Sequence, residues 1–297
     1  MSNYRTSGEA SVLPGICEDG GMPQVAALFR YPVKGFTPES PDRLTVQRDG
    51  RVAGDRVLAF RFADAATPED RDGLDYWPKA KGLSLQDFPA LAALRLAYDD
   101  AALRIRIAHD GAELVEAGLD PQGRQRITRA VTEFVLDSRE GSRLERPGRL
   151  PLALVGDGVR SRFQDRPRGF VSVHGRASVA ALGVAAGVPL DDRRFRSNIV
   201  IEGLEPWHEL EWSGRVRIGE VVFRTAGPIV RCLATHANPD TGVRDAPVLT
   251  TLTRSLGQRE PTLGRLLLPH EPAPARGAAP RSEPLGTIRV GDEVEIL

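Results

Sequence analysis

The sequence predicts a mainly β protein with a few helices, barrel-like, arranged as two β-rich domains. Three observations predict it. Many short β-branched or alternating stretches are bounded by glycines, and few segments show the 3.6-residue periodicity of an amphipathic helix. A charged, non-periodic run from Gly141 to Gly148 divides the chain near its middle, which sets domains at 22–145 and 146–297 behind a flexible tail at 1–21.

Taken in order, Val25 to Arg30 reads as a strand running into Tyr31-Pro32-Val33-Lys34-Gly35, where Pro32 and Gly35 force a loop and leave Lys34 at the strand end. Arg56 to Phe62 alternates after the Gly54-Asp55 turn and reads as a strand that begins with a basic residue. Leu91 to Tyr98 and Leu103 to Ile107 form a hairpin about Asp99-Asp100. Ile127, Val131, Phe134 and Val135 share one helical face, which predicts a helix over 127–136 with Thr128 near its start.

In the second half, Phe170 to Val173 is a strand, and Ala177 to Ala186 a helix stopped by Gly187 and Pro189. Asn198 to Glu202, Val216 to Ile218, Val221 to Thr225 and Ile229 to Leu233 follow as strands. Thr287 to Val290 and Val294 to Leu297 close the chain as a hairpin around Gly291-Asp292. The stretch 270–280 is a Pro/Ala loop, and no internal repeat is present.

Composition removes several function classes. With 297 residues and 41% hydrophobic content the chain buries a core without staples. The 40 basic and 40 acidic residues cancel, so no overall field draws nucleic acid or an anionic membrane. No apolar run approaches the ~18 residues of a membrane helix. The first twenty residues lack a signal-peptide core, which points to the cytoplasm. Two cysteines, Cys17 and Cys232, exclude a disulfide framework and a four-cysteine metal site. Five scattered histidines form no HExxH, and neither a P-loop nor a GxGxxG after a strand is present. Basic and aromatic residues do not interleave as they do in single-strand binders.

What remains is local. Cys232 ends an apolar run and precedes a polar turn, so its thiol can face a ligand. Arg231 beside it and His236 four residues on favour the thiolate that attacks electrophiles or ligates soft metals. An isolated cysteine is more often simply a buried structural thiol. Lys34, Arg56, Arg196 and Arg231 all sit at strand–loop junctions, where arginine forks and a lysine point charge together suit a phosphate, although strand-end arginines are commonly just solvated. Lysine occurs only at Lys34, Lys79 and Lys81.

Four segments, in order, carry a resemblance: Tyr31-Pro32-Val33-Lys34-Gly35; Arg193-Arg194-Phe195-Arg196-Ser197-Asn198; Arg231-Cys232 with Asn238-Pro239-Asp240-Thr241-Gly242; and Gly286-Thr287-Ile288-Arg289-Val290-Gly291-Asp292. Over roughly residues 22–297 the chain resembles the MOSC (molybdenum cofactor sulfurase C-terminal) superfamily, with its N-terminal β-barrel domain. The resemblance implies a molybdenum–molybdopterin cofactor with Cys232 as the thiolate on the metal. Lys34, Arg56, Arg196 and Arg231 would hold its phosphate and pterin, with Asn198 and the loop at Gly35 adding hydrogen bonds, and His236 or Asp240 would assist proton delivery. It implies an oxidoreductase that removes oxygen from N-hydroxylated small molecules.

Two features depart from the pattern. Gly35 stands where family members often carry Ser, and residues 165–170 differ from the amidoxime-reducing members. Because the chain ends at Leu297 without a ferredoxin-type domain and has too few cysteines for an iron–sulfur cluster, electrons would come from an external ferredoxin-, flavoprotein- or cytochrome-type donor. The alternative is a persulfide sulfur carrier or a cofactor carrier without redox turnover.

Overall fold

Short strands dominate the computed structural model, which describes residues 21–71, 73–166, 169–270 and 283–297. The expected tail, apart from residue 21, and the Pro/Ala loop beyond His270 lie outside the described residues. In the first half the strands are β1 (Gln24–Leu28), β2 (Arg43–Gln47), β3 (Ala59–Arg61), β4 (Glu69–Arg71), β5 (Leu74–Tyr76), β6 (Arg95–Asp99), β7 (Arg104–His109) and β8 (Ala112–Gly118). The remainder are β9 (Ala153–Val155), β10 (Val171–Gly175), β11 (Ile199–Glu202), β12 (Arg215–Ile218), β13 (Val221–Val230), β14 (Thr262–Pro269), β15 (Pro284–Arg289) and β16 (Val294–Ile296).

Seven of these form one sheet in the order β1-β11-β10-β14-β13-β12-β16. Its two ends meet. Val25 N donates to Asp292 O at 2.8 Å, Gly291 N to Val25 O at 2.8 Å and Val294 N to Pro23 O at 2.7 Å, beside a bridge between Gln24 and Glu293. Closure satisfies edge groups that would otherwise template aggregation. Alternation along each strand turns Val25, Val171, Val173, Ile199, Ile201, Val216, Ile218, Phe223 and Leu267 into one interior cluster.

The second core is built around α1 (Pro121–Asp137), which lays Ile127, Val131 and Val135 into a cluster with Ile105, Ile107, Leu58 and Phe88. Burying each such side chain stabilises by about 1.5–3 kcal/mol. The sheet β6-β7-β8 and the pair β3-β9 frame this core. Within the compositional break, α2 (Gly141–Leu144) buries Leu144 in the same cluster, and Leu152 and Leu154 beyond it join too. Conversely, β1 pairs with β11, and β2 with β15, so both halves of the chain contribute strands to the sheets around the first core. A third cluster gathers α3 (Arg176–Ala186), Phe195, Val248 and Leu263.

Several elements differ from expectation. Residues 91–94, expected to be strand, belong to a 3-10 turn at Pro89–Ala93, because Pro89 initiates a helical turn and supplies no ladder donor. Arg56 does not open a strand; its φ of 55° is left-handed, and the strand begins at Ala59. The helix expected at 127–136 starts six residues earlier, where Asp120 accepts from Gln122 N and Gly123 N and Pro121 takes the first helical position. Ile229 and Val230 continue β13 through irregular pairing at Gly227-Pro228, and the ladder stops before Cys232. The terminal segments do turn at Gly291-Asp292, but they pair with β2 and β12 rather than each other, since β1 takes the turn's backbone groups. The helix expected at 177–186 ends as anticipated, with Gly187 left-handed at φ 69°.

Candidate functional site

A cleft of about 190 Å³ is lined by Lys34, Gly35 and Arg56 from the first half of the chain and Arg196, Arg231 and Cys232 from the second. Six of the nine anticipated functional positions therefore share one space; Asn198, His236 and Asp240 stand outside its lining.

Lys34 is placed by the bridge between Val33 and Leu58 and by its own N–H, which donates to Leu58 O at 2.8 Å. Its side chain is buried, and its ammonium lies 2.7 Å from Asp165 Oδ1 and 5.6 Å from the centre of the Tyr76 ring. Burial lowers the Lys34 pKa, and Asp165 restores part of the loss. Gly35 is left-handed at φ 85°, and a Cβ there would meet Leu83 O at 3.2 Å and Ser84 Cα at 3.3 Å. Glycine satisfies both constraints, and it brings the Ser84 backbone against the loop.

Arg56 and Arg196 are organised by Tyr31. Their guanidinium carbons lie 4.7 Å and 4.3 Å from the centre of its fully buried ring. The Tyr31 hydroxyl donates to Ser197 O at 3.3 Å and its N–H to Asp55 Oδ1 at 2.9 Å. Arg56 pairs with Asp55 and donates to Arg196 O at 3.1 Å, while Arg196 donates to Phe36 O at 2.6 Å. Both arginines have positive φ, 55° and 54°, a conformation that costs a non-glycine residue about 1–2 kcal/mol. Burial works against the Arg56 charge, and Asp55 more than offsets it, raising its pKa. Arg196 has no such carboxylate: burial and then the Arg56 charge push it down to about 10. The pair is therefore short of negative charge.

Cys232 follows the end of β13 and precedes the 3-10 turn Leu233–His236, and its thiol is free and half-buried. Its carbonyl accepts from Thr235 N at 3.0 Å and Thr235 Oγ1 at 2.9 Å, which ties the loop without engaging the sulfur. Arg231 lines the cleft and also ties the surrounding strands together. Its Nε donates to Leu263 O at 2.7 Å and Nη1 to Phe195 O at 2.6 Å, with Nη2 also directed at Leu263 O. These bonds lash β13 to β14 and to the loop before β11, and burial lowers the Arg231 pKa to about 10.

The other anticipated residues serve the frame. Asn198 Nδ2 donates to Phe29 O at 3.2 Å, and its Oδ1 accepts from Ser172 Oγ at 2.9 Å, joining β1, β10 and β11 at their ends. His236 Nε2 accepts the N–H of Leu249 at 3.1 Å, and burial first, then Arg244 and Arg194, lower its pKa. Asp240 is held by Arg193 at 2.9 Å and by Arg95 at 2.6 Å, on the outer side of the loop. In the same turn Asn238 Oδ1 accepts from Asp240 N and Thr241 N, and Gly242 packs where a Cβ would lie 2.7 Å from Ala90 Cα. The Asn-Pro-Asp-Thr-Gly motif thus docks the cysteine loop on the first half of the chain.

Six further polar lining residues were not proposed as site residues from the sequence: Lys79, Ser84, Gln86, Asp165, Arg194 and Thr235. Lysine rarity was the available signal, since two of the three lysines are here. Arg194 donates to Asp245 at 2.6 Å and to His236 O at 3.1 Å, while its buried Nε lacks a hydrogen-bond partner. Among the described residues Asp165 is the single carboxylate of the lining, against Lys34, Arg56, Lys79, Arg194, Arg196 and Arg231. Such a lining suits a negatively charged group, although Arg56 and Arg194 already pair with Asp55 and Asp245 and Arg231 with backbone carbonyls. Among the described residues no group of three His, Cys, Asp or Glu side chains could hold a metal ion. A metal at Cys232 must bring its remaining ligands with it, and a thiolate beside an anion cradle fits a cofactor that carries both metal and phosphate. No described helix is long and apolar enough to cross a membrane.

Residues 161–295 match the MOSC domain family. Over 81 residues, 27% of this chain and 10% of the relative, the sequence is 49% identical to the molybdenum cofactor sulfurase of Drosophila grimshawi. It is 32% identical over 121 residues to mitochondrial amidoxime-reducing component 1 of Homo sapiens, covering 41% of this chain and 35% of that protein. The Mus musculus counterpart is 36% identical over 103 residues, 35% of this chain and 29% of the relative. The matched stretch thus spans a tenth to about a third of these curated relatives.

Proposed function

We propose that this chain, which carries a MOSC domain over residues 161–295, binds a molybdenum–molybdopterin cofactor in the cation-rich cleft and works as an oxidoreductase on N-hydroxylated or similar N-oxygenated small molecules. The observation that carries the proposal is the meeting of the one described thiol, Cys232, with Lys34, Arg56 and Arg196 in one space. Relatives named amidoxime-reducing component support the reaction class.

When bound, the cofactor supplies two-electron chemistry for removing oxygen from the substrate. The chain's own residues do the rest. Cys232 offers a soft sulfur at a loop end, with no side chain competing for it among the described hydrogen bonds. Lys34 presents a point charge and Arg56 and Arg196 a fixed pair of forks, preorganised on Tyr31 so that little ordering remains when the anion arrives. Ser84 lines the cleft beside Gly35, its backbone against the loop. Arg231 holds the cysteine strand in place, and His236 keeps its turn closed by accepting from Leu249; Asp240 anchors the same loop from outside. Electrons would come from a separate ferredoxin-, flavoprotein- or cytochrome-type protein, with the cytoplasm as the place of action.

A second reading is favoured by a specific comparison, the 49% identity to a protein named molybdenum cofactor sulfurase: Cys232 would carry a persulfide, or the cleft would hold the cofactor for transfer without turnover. The experiment is to measure molybdenum and pterin in protein purified from cells that make the cofactor, alongside Cys232→Ala. Near-stoichiometric metal, lost in the variant, supports cofactor ligation; equal metal in both defeats the thiolate assignment. Turnover of an N-hydroxylated amidine with a chemical reductant then separates the oxidoreductase from the carrier.

A further inference from the structure

Among the described residues Asp165 carries the only carboxylate in the lining of the cleft, and it lies 2.7 Å from Lys34 Nζ. The two partners are held differently. The Lys34 side chain is 10% exposed and its backbone is bound to Leu58, whereas the Asp165 side chain is 57% exposed on the irregular stretch after Phe163. That stretch is anchored behind the aspartate, where Phe163 N donates to Arg56 O at 2.9 Å and Gln164 Nε2 to Asp55 O at 3.1 Å. Arg56 and Lys79 also face the carboxylate electrostatically.

We infer that Asp165 is a built-in competitor: it occupies the place of a phosphate on Lys34, and a phosphorylated ligand must displace it. The inference rests on the proposal that the cleft holds an anionic cofactor. A carboxylate brings one negative charge and two oxygens, while a phosphate monoester brings ~−1.5 to −2 and three acceptor oxygens, so the phosphate wins the site when it is supplied. In its absence the aspartate neutralises a buried ammonium that would otherwise be costly. Exposure of the carboxylate makes the exchange a side-chain rotation toward solvent, with no change in the sheet. Asp165 therefore sets the threshold affinity of the cleft rather than contributing to it.

The test is a calorimetric titration of inorganic phosphate into the purified, cofactor-stripped full chain, its Asp165→Asn variant and its Lys34→Met variant, with melting temperatures to verify folding. Asp165→Asn should bind phosphate about tenfold more tightly than the parent, and Lys34→Met should bind it at least tenfold more weakly. Unchanged or weaker binding in Asp165→Asn overturns the inference, as does the absence of phosphate binding in both. Pterin content of the proteins as purified separates the sources of the anion. Higher pterin retention in Asp165→Asn identifies the cofactor phosphate as the displacing group; tighter phosphate binding with no pterin in either protein keeps the competition, assigns it to free phosphate, and removes the cofactor proposal instead.

Discussion

Arg56 donates to the main-chain carbonyl of Arg196 at 3.1 Å while both guanidiniums rest on the ring of Tyr31, so two like charges from opposite halves of the chain are held side by side. Each cation–π contact is worth roughly 0.5–2 kcal/mol, which offsets part of the repulsion and burial that lower the Arg196 pKa. Stability has been given up locally to keep positive charge in place. Arg196→Gly, which suits the left-handed backbone, should melt no lower than the parent yet retain less than a tenth of its pterin. Thermal melts with pterin fluorescence check this; full pterin content would make the pair a solvated surface feature.

Arg231 is expected to behave oppositely. Arg231→Lys keeps the charge but cannot reach Leu263 O and Phe195 O together, so it should lower unfolding free energy by about 2–4 kcal/mol in urea titrations. A variant as stable as the parent with impaired pterin binding would place Arg231 among the cofactor ligands after all.

Placing a serine at Gly35 should cost stability. At φ 85°, with backbone atoms 3.2 and 3.3 Å from the added Cβ, Gly35→Ser should lose about 1–2 kcal/mol or more. Denaturant unfolding measures this, and a neutral or stabilising effect would mean the loop relaxes freely.

His236 supplies a pH dependence. Its pKa is lowered below the usual 6.5, because burial and then Arg244 and Arg194 oppose the cation, and its Nε2 must stay unprotonated to accept from Leu249. The folded state thus binds fewer protons than the unfolded state, so the stabilisation is present above pH ~6.5 and is lost as pH falls through the lowered folded value. Melting temperature should drop more between pH 7 and 5 in the parent than in His236→Gln, whose amide oxygen accepts without titrating. Parallel pH curves with an altered activity profile would instead support proton delivery by this residue.

Much of this protein is determined by its sequence alone. Period-two alternation in Val216–Ile218 and Val221–Phe223 and the Ile127/Val131/Val135 spacing specify strands and helix, because side-chain burial must follow backbone geometry. The residue types at Lys34, Arg56, Arg196 and Cys232 made them candidates, but singly each also reads as a solvated charge or a structural thiol, and only their order along the chain carried the resemblance. Tertiary structure decided which of them meet. Closure of the sheet through Val25 and Asp292 and the docking of Gly242 on Ala90 bring loops from both halves to one cleft, and no local pattern encodes such contacts between distant segments. The same long-range packing placed Asp165 on Lys34. It also committed Arg231, Asn198 and His236 to backbone groups, because a buried carbonyl or N–H takes whichever partner folding sets within reach.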